Sequence, residues 1–269
     1  MPHVEVNAIK IYYEVHGNGE PLLLIEGLGY ATWMWYRQLE EFSRHFRVII
    51  FDNRGAGKSD KPDIPYTIEM MASDAAGLLR ALDIQKAHVL GVSMGGFIAQ
   101  ALAVGYPELV HTLILVCTSH GGPRAIPAPP ETIRAMLNEE GLPPREALRE
   151  AMRPAFRPGF LAEHPEELEK IIEWRLAEPT PRYAWQRQFN AVLGADLEGR
   201  LQEIKAPTLI LTGDADRVVP MANSERLHKA IANSVLEVFP GGGHLFFLEQ
   251  APAFNRRVLD FLGEHPMGK

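Results

Sequence analysis

One serine stands between glycines at Gly91-Val-Ser-Met-Gly95, inside the run VLGVSMGGFIAQ from Val89 to Gln100. A serine hydroxyl is a weak nucleophile until a base takes its proton, and that base must be held by a third group. Both partners follow later in the chain, the acid before the histidine. Gly213-Asp-Ala-Asp-Arg-Val-Val-Pro220 carries Asp214 and Asp216, and Pro240-Gly-Gly-Gly-His-Leu-Phe-Phe247 carries His244. In series, the hydroxyl oxygen attacks a carbonyl carbon, the imidazole takes its proton and passes it to the leaving group, and the carboxylate holds the imidazole. The chemistry also needs donors aimed at the oxygen that becomes negative, often worth ~3 kcal/mol each. The amide of Met94, directly after the serine, is one such donor.

These residues are useful only if the fold brings them to one edge, and each leaves the end of a short apolar run. Such runs recur at Pro21–Ile25 (PLLLI), Arg47–Phe51 (RVIIF), Ala87–Leu90 (AHVL), Val110–Cys117 (VHTLILVC), Pro207–Thr212 (PTLILT) and Val235–Phe239 (VLEVF). Continuous apolar runs of this length mark strands covered on both faces, as in a largely parallel sheet. Two alternating runs before them, His3–Asn7 and Ile9–Val15, read as an antiparallel hairpin at a sheet edge. Helical spacing lies between the runs, at Met71, Ala75, Leu78, Leu79 and Leu82, at Phe97, Ile98, Ala101 and Leu102, and from Ala253 to Phe261. Strand and helix alternate, so the fold class is α/β, a mostly parallel central sheet flanked by helices. Ser93 then sits where the strand AHVL turns sharply into the helix FIAQALAVGY. Gly91 and Gly95 let that turn form without side-chain clashes.

The alternation stops once, from about Gly121 to Ala195. There the apolar spacing is helical (Leu168, Ile171, Ile172, Leu176, then Trp185, Phe189, Val192), and eleven of the 21 prolines fall between Pro123 and Pro181. Prolines at that density break the stretch into several short helices. The expected organisation is a core of residues 1–120 and 196–269, with a helical lid, 121–195, inserted after the sixth strand.

Taken together, GVSMGG, DNRGAGKSD, TGDADRVVP and GGGH resemble the α/β-hydrolase superfamily, in the lidded branch of esterases and lactonases. The resemblance covers essentially the whole chain and is least distinctive in the lid. It implies that the acid is the aspartate three residues after the glycine, Asp216, with Asp214 its neighbour. It also implies a second oxyanion donor from the loop after PLLLI, the amide of Leu28. The implied reaction is cleavage of a carboxylic ester through an acyl-enzyme on Ser93. Enol-lactone or C–C bond hydrolysis, acyl transfer, and a non-catalytic ligand sensor of the same fold are the alternatives. The chain departs from the pattern at Glu26-Gly27, where similar enzymes usually have His-Gly. Glu26, Tyr30, His120, Trp185 and Leu245 are the candidate substrate contacts, and His120 is also the rival to His244 as the base.

Composition narrows the partners. A length of 269 residues allows one core burying about 75% of the unfolded surface. The net charge of −7, from 34 acids and 27 bases with no basic block longer than Arg256-Arg257, argues against nucleic acid. Gly55-Ala-Gly-Lys-Ser59 is not a phosphate loop, because Asp52 stands where that motif needs glycine. No stretch has the spacing of a zinc or dinucleotide site, so no cofactor and no metal are expected. No run approaches the roughly 18 apolar residues of a membrane span. The single cysteine, Cys117, and a start without a basic-then-apolar layout point to a soluble, cytoplasmic protein, and the resemblance implies a small-molecule ester or lactone as its substrate.

Overall fold

The protein is described by a computed structural model covering residues 2–138 and 141–268. Eight strands form one sheet: β1 (His3–Val6), β2 (Ile9–His16), β3 (Pro21–Ile25), β4 (Arg47–Phe51), β5 (Ala87–Val92), β6 (Val110–Val116), β7 (Thr208–Gly213) and β8 (Ser234–Phe239). Their order is β1-β2-β4-β3-β5-β6-β7-β8. The hairpin expected at the edge is there, β1 antiparallel to β2 and β2 antiparallel to β4, and from β4 to β8 every pairing is parallel.

The continuous apolar runs are buried on both faces, and their alternate residues serve two different cores. Leu23, Ile25 and Ile49 pack with α2 (Ile68–Ala81) and α3 (Met94–Gly105). Leu22, Leu24 and Val48 pack with Phe42 of α1 (Leu39–Ser43) and with Phe254 and Val258 of α11 (Ala251–Gly263). Local signals fix the helix ends. Thr67 caps α2 by accepting a hydrogen bond from the Met70 amide at 3.1 Å, and Pro107 follows the last turn of α3. A buried ion pair braces α2 to the loop after β4, with Arg54 holding both carboxylate oxygens of Asp74 at 2.5 and 2.7 Å.

Between β6 and β7 lie α4 (Pro130–Leu137), α5 (Pro144–Met152), α6 (Phe160–Glu163), α7 (Pro165–Ala177) and α8 (Arg182–Leu193), with no strand among the described residues. Three of these helices open on proline, which is suited to the first helical position because the missing N–H would be unpaired there anyway. The insertion leaves and rejoins the sheet at one place, where Gly121 and Asp196 form an isolated antiparallel bridge. α9 (Ala222–Ala230) and α10 (Phe246–Glu249) complete the chain. Among the described residues no helix is long and apolar enough to cross a membrane.

The sheet's order reverses around β3, which pairs with β4 on one side and β5 on the other. Such a switch point opens a crevice beyond the carboxyl ends of the strands. Ile25 stands opposite Gly91 in the β3–β5 register, so the chain leaving β3 at Glu26 lies beside the chain leaving β5 at Ser93.

Candidate active site

Ser93 occupies the turn between β5 and α3 with φ 54° and ψ −117°, in the left-handed half of backbone space that a residue with a side chain avoids. Its neighbours allow this close packing. A Cβ on Gly91 would stand 2.2 Å from the Gly95 carbonyl oxygen, and one on Gly95 would stand 2.1 Å from that of Ile25. The Ser93 amide is anchored to the Val116 carbonyl at 2.9 Å, and the Thr118 hydroxyl donates to the Ser93 carbonyl at 2.7 Å. The side chain is half-buried, and no hydrogen bond engages its hydroxyl among the described residues.

The acid and the base meet where the loops after β7 and β8 cross. A Cβ on Gly213 would fall 2.1 Å from the Gly242 carbonyl oxygen, and the Ala215 amide donates to that same oxygen at 2.9 Å. Asp214, exposed, accepts from the Gly241 amide at 2.7 Å and so ties the two loops together. Asp216 is buried and faces inward. Its Oδ1 accepts from the amides of Val218 and Val219 at 2.7 and 2.8 Å, leaving Oδ2 to bond His244 Nδ1 at 2.8 Å. Burial alone would lower the His244 pKa, but the charge of Asp216 overrides it and holds the imidazole's pKa raised. In the neutral imidazole, a proton on Nδ1 leaves Nε2 as the acceptor.

Cys117 adds a thiol to this pair. It follows β6 with φ 40°, and burial pushes its thiol up, which keeps it protonated at neutral pH. Its sulfur, an Asp216 oxygen and a His244 nitrogen lie within 4.8 Å of one another, the one cluster of metal-ligand type among the described residues.

The loop after β3 faces Ser93. A Cβ on Gly27 would stand 3.3 Å from Ser93 Cβ, so this backbone lies directly against the serine. Within the loop the Gly27 amide donates to Glu26 Oε2 at 2.8 Å and the Gly29 amide donates to Gln188 Oε1 at 2.9 Å. The Leu28 amide between them, and the Met94 amide after the serine, have no hydrogen-bond partner among the described residues. These are the two amides expected to serve as oxyanion donors.

The other candidates are distributed less evenly. Glu26 is buried against the loop. Tyr30 lies beneath Arg175 of α7, whose guanidinium carbon is 5.0 Å from the ring centroid. Trp185 of α8 stacks on Phe189 at 5.0 Å, and its Cδ1 stands 2.9 Å from where a Cβ on Gly29 would be. Leu245 is buried and donates its amide to the Ala155 carbonyl at 2.8 Å. His120 is buried with neither ring nitrogen hydrogen-bonded, and no hydrogen bond links it to Ser93, Asp216 or His244. Two surface clefts of about 630 and 390 Å³ lie elsewhere, and none of the three candidate triad residues lines either.

Sequence reasoning missed the residues that tie the insertion to this loop. Gln188 of α8, fully buried, accepts from Gly29 and donates to the Arg54 carbonyl at 2.7 Å. Glu167 of α7 receives hydrogen bonds from Tyr36 and Arg37. Glu249 accepts from the amides of Arg157 and Gly243 at 2.6 and 3.0 Å and clasps the loop that carries His244.

Residues 20–251 match the α/β hydrolase fold family. The chain belongs to that family. It is a hydrolase of that fold, and its relatives span several substrates. It is 34% identical to a 2-hydroxy-6-oxononadienedioate/2-hydroxy-6-oxononatrienedioate hydrolase of Paraburkholderia phymatum, over 95% of this chain and 92% of that one. An enol-lactonase from Burkholderia xenovorans LB400 superposes with a TM-score of 0.85 at 29% identity, covering 97% of this chain and all of the other (100%). A thermophilic esterase from Thermogutta terrifontis superposes with a TM-score of 0.81 at 31% identity, covering 98% and 99%.

Proposed function

We propose that the chain is a serine hydrolase that cleaves carboxylic esters through an acyl-enzyme. His244 Nε2 takes the proton of Ser93 Oγ as that oxygen attacks the carbonyl carbon, and the imidazolium is held by Asp216. The carbonyl oxygen gains the charge and is received by the amides of Leu28 and Met94. The ester C–O bond then breaks, and His244 returns the proton to the leaving alcohol oxygen. Water repeats the sequence, giving a proton to His244 as its oxygen adds, and Ser93 leaves with that proton. The observation that carries this reading is the conjunction at one edge of the sheet: a strained serine, two unspent amides beside it, and an imidazole fixed by a doubly anchored carboxylate.

The insertion, 121–195, serves in this reading as a cap over a core of 1–120 and 196–269. Tyr30, on the loop of the oxyanion hole, and Trp185, which packs against Gly29 of that loop, line the acyl or alcohol side of the pocket. Turnover of short-chain aryl esters tests the reading, with Ser93→Ala lowering it by about 10⁶-fold. No turnover across such a panel would overturn the ester assignment. The names of the Paraburkholderia and Burkholderia relatives favour a second reading, C–C or enol-lactone hydrolysis on the same residues. Product analysis on a β-diketone and an enol-lactone against an ester decides between them.

A further inference from the structure

Glu26 ends the passage out of β3 with a carboxyl group that the steps above leave unused. Its side chain is 1% exposed. Oε2 accepts from the Gly27 amide at 2.8 Å, and Oε1 has no hydrogen-bond partner. The backbone around it is held: the Glu26 carbonyl accepts from Asn53 Nδ2 at 3.0 Å, and Gly27 lies against Ser93. The carboxyl therefore sits directly behind the loop that presents the Leu28 amide.

The groups facing it are His244 from the loop after β8, Asp52 from the end of β4, and Tyr30 on its own loop. Among the described residues no lysine or arginine pairs with it. An ionised carboxylate in this place would keep one oxygen dry and unpaired, which strongly favours the acid form. Burial pushes the Glu26 carboxyl up to about 8, the Gly27 amide and the His244 charge pull it back, and Asp52 adds to the rise.

We propose that Glu26 is a positioning residue of the oxyanion loop: as a neutral acid it clamps the Gly27 amide, which aims the Leu28 N–H, without setting a negative charge beside the oxygen on which charge develops. The proposal rests on the serine-hydrolase reading above. When the Glu26 proton is lost, the unpaired anion repels the forming oxyanion. It also makes the imidazolium of His244 a poorer acid toward the leaving group. Both effects slow the acylation step rather than binding.

The test is a pH profile of kcat and KM for a p-nitrophenyl ester from about pH 6 to about pH 9.5. Wild type, Glu26→Gln and Glu26→Ala are compared, with working sites counted by a fluorophosphonate. Wild-type kcat is expected to fall roughly tenfold through a transition near that of Glu26. Glu26→Gln keeps the acceptor for Gly27 and cannot ionise, so it stays within about threefold of wild type near pH 7 and loses the fall. Glu26→Ala lowers kcat roughly tenfold at every pH, with KM little changed. The proposal is overturned if the glutamine variant keeps the same alkaline fall, if wild type has none, or if both variants are equally impaired. Failure of the fluorophosphonate to label wild-type Ser93 would sink the underlying reading first, and the proposal with it.

A second readout is independent of turnover. The folded acid titrates near 8 against 4.5 when unfolded, so the folded state binds the extra proton and wild type loses stability as pH rises across that interval. The melting temperature of Glu26→Gln minus that of wild type should grow from about pH 5 to about pH 8. A flat difference means Glu26 is ionised throughout and overturns the proposal.

Discussion

Replacing Asp216 by asparagine tests how the base is oriented while leaving its place unchanged. Oδ1 of Asp216 receives two backbone N–H groups, from Val218 and Val219 at 2.7 and 2.8 Å. The amide oxygen of asparagine must take that position, because an NH₂ group there would face two donors. Its NH₂ then points at His244 Nδ1, which at present donates across 2.8 Å. Two donors cannot share that contact, so the imidazole moves its proton to Nε2 and no longer offers Ser93 a lone pair. A base held in the wrong tautomer costs about 10⁴-fold in kcat, about 5.5 kcal/mol of barrier. The charge that raises the His244 pKa also disappears, so the acid limb of the residual activity should move to lower pH. The assay is steady-state hydrolysis of a short aryl ester, with a melt to show that the variant is folded. Asp214→Asn is the control: among the described residues its carboxylate bonds only the Gly241 amide, so it should cost less than about tenfold. An Asp216→Asn enzyme within tenfold of wild type, or an equal loss in Asp214→Asn, refutes the reasoning.

Three other outcomes are expected. Gly95→Ala puts a methyl 2.1 Å from the Ile25 carbonyl oxygen and 2.8 Å from that of Glu26. Both are backbone atoms, so urea unfolding should show a loss of about 3 kcal/mol together with lost activity; an unchanged midpoint would contradict the packing. Asp74→Ala strands the 3%-exposed Arg54 guanidinium and should cost about 3–5 kcal/mol by the same measurement. Gln188→Ala unpairs the Gly29 amide and the Arg54 carbonyl, with an expected loss of about 1–3 kcal/mol. It should also lower kcat, since Gly29 is next to the Leu28 donor, and a variant altered in neither stability nor kcat would show that this tie is idle.

The candidate triad is legible in the sequence because each member follows a strand whose apolar run is unmistakable, and a parallel sheet brings all such strand ends to one edge. The helical stretch between β6 and β7 is legible for the complementary reason, since no strand-like run interrupts residues 121–195. Polar contacts made by surface-type residues were not legible. Gln188 lies 159 residues from Gly29 and 134 from Arg54, and nothing in a helical period says which polar residue on α8 will be buried and what it will meet. Cys117 reads as the end of a core strand and lies just past β6, but its place beside His244 comes from loops of two later strands. Glu26 is visible as a departure from pattern, whereas its unpaired oxygen depends on every neighbour in the folded chain. His120 has the opposite history. Its position after β6 suggested a pocket wall or a rival base, and the carboxylate that could orient it bonds His244 instead.

The most direct measurement is where a mechanism-based phosphonate attaches. Wild-type protein treated with a fluorophosphonate should gain one phosphonyl group, mapped by peptide mass spectrometry to Ser93, and His244→Ala should slow that gain by orders of magnitude while remaining folded. Attachment at another residue, or unimpeded labelling of Ser93 without His244, would contradict the account.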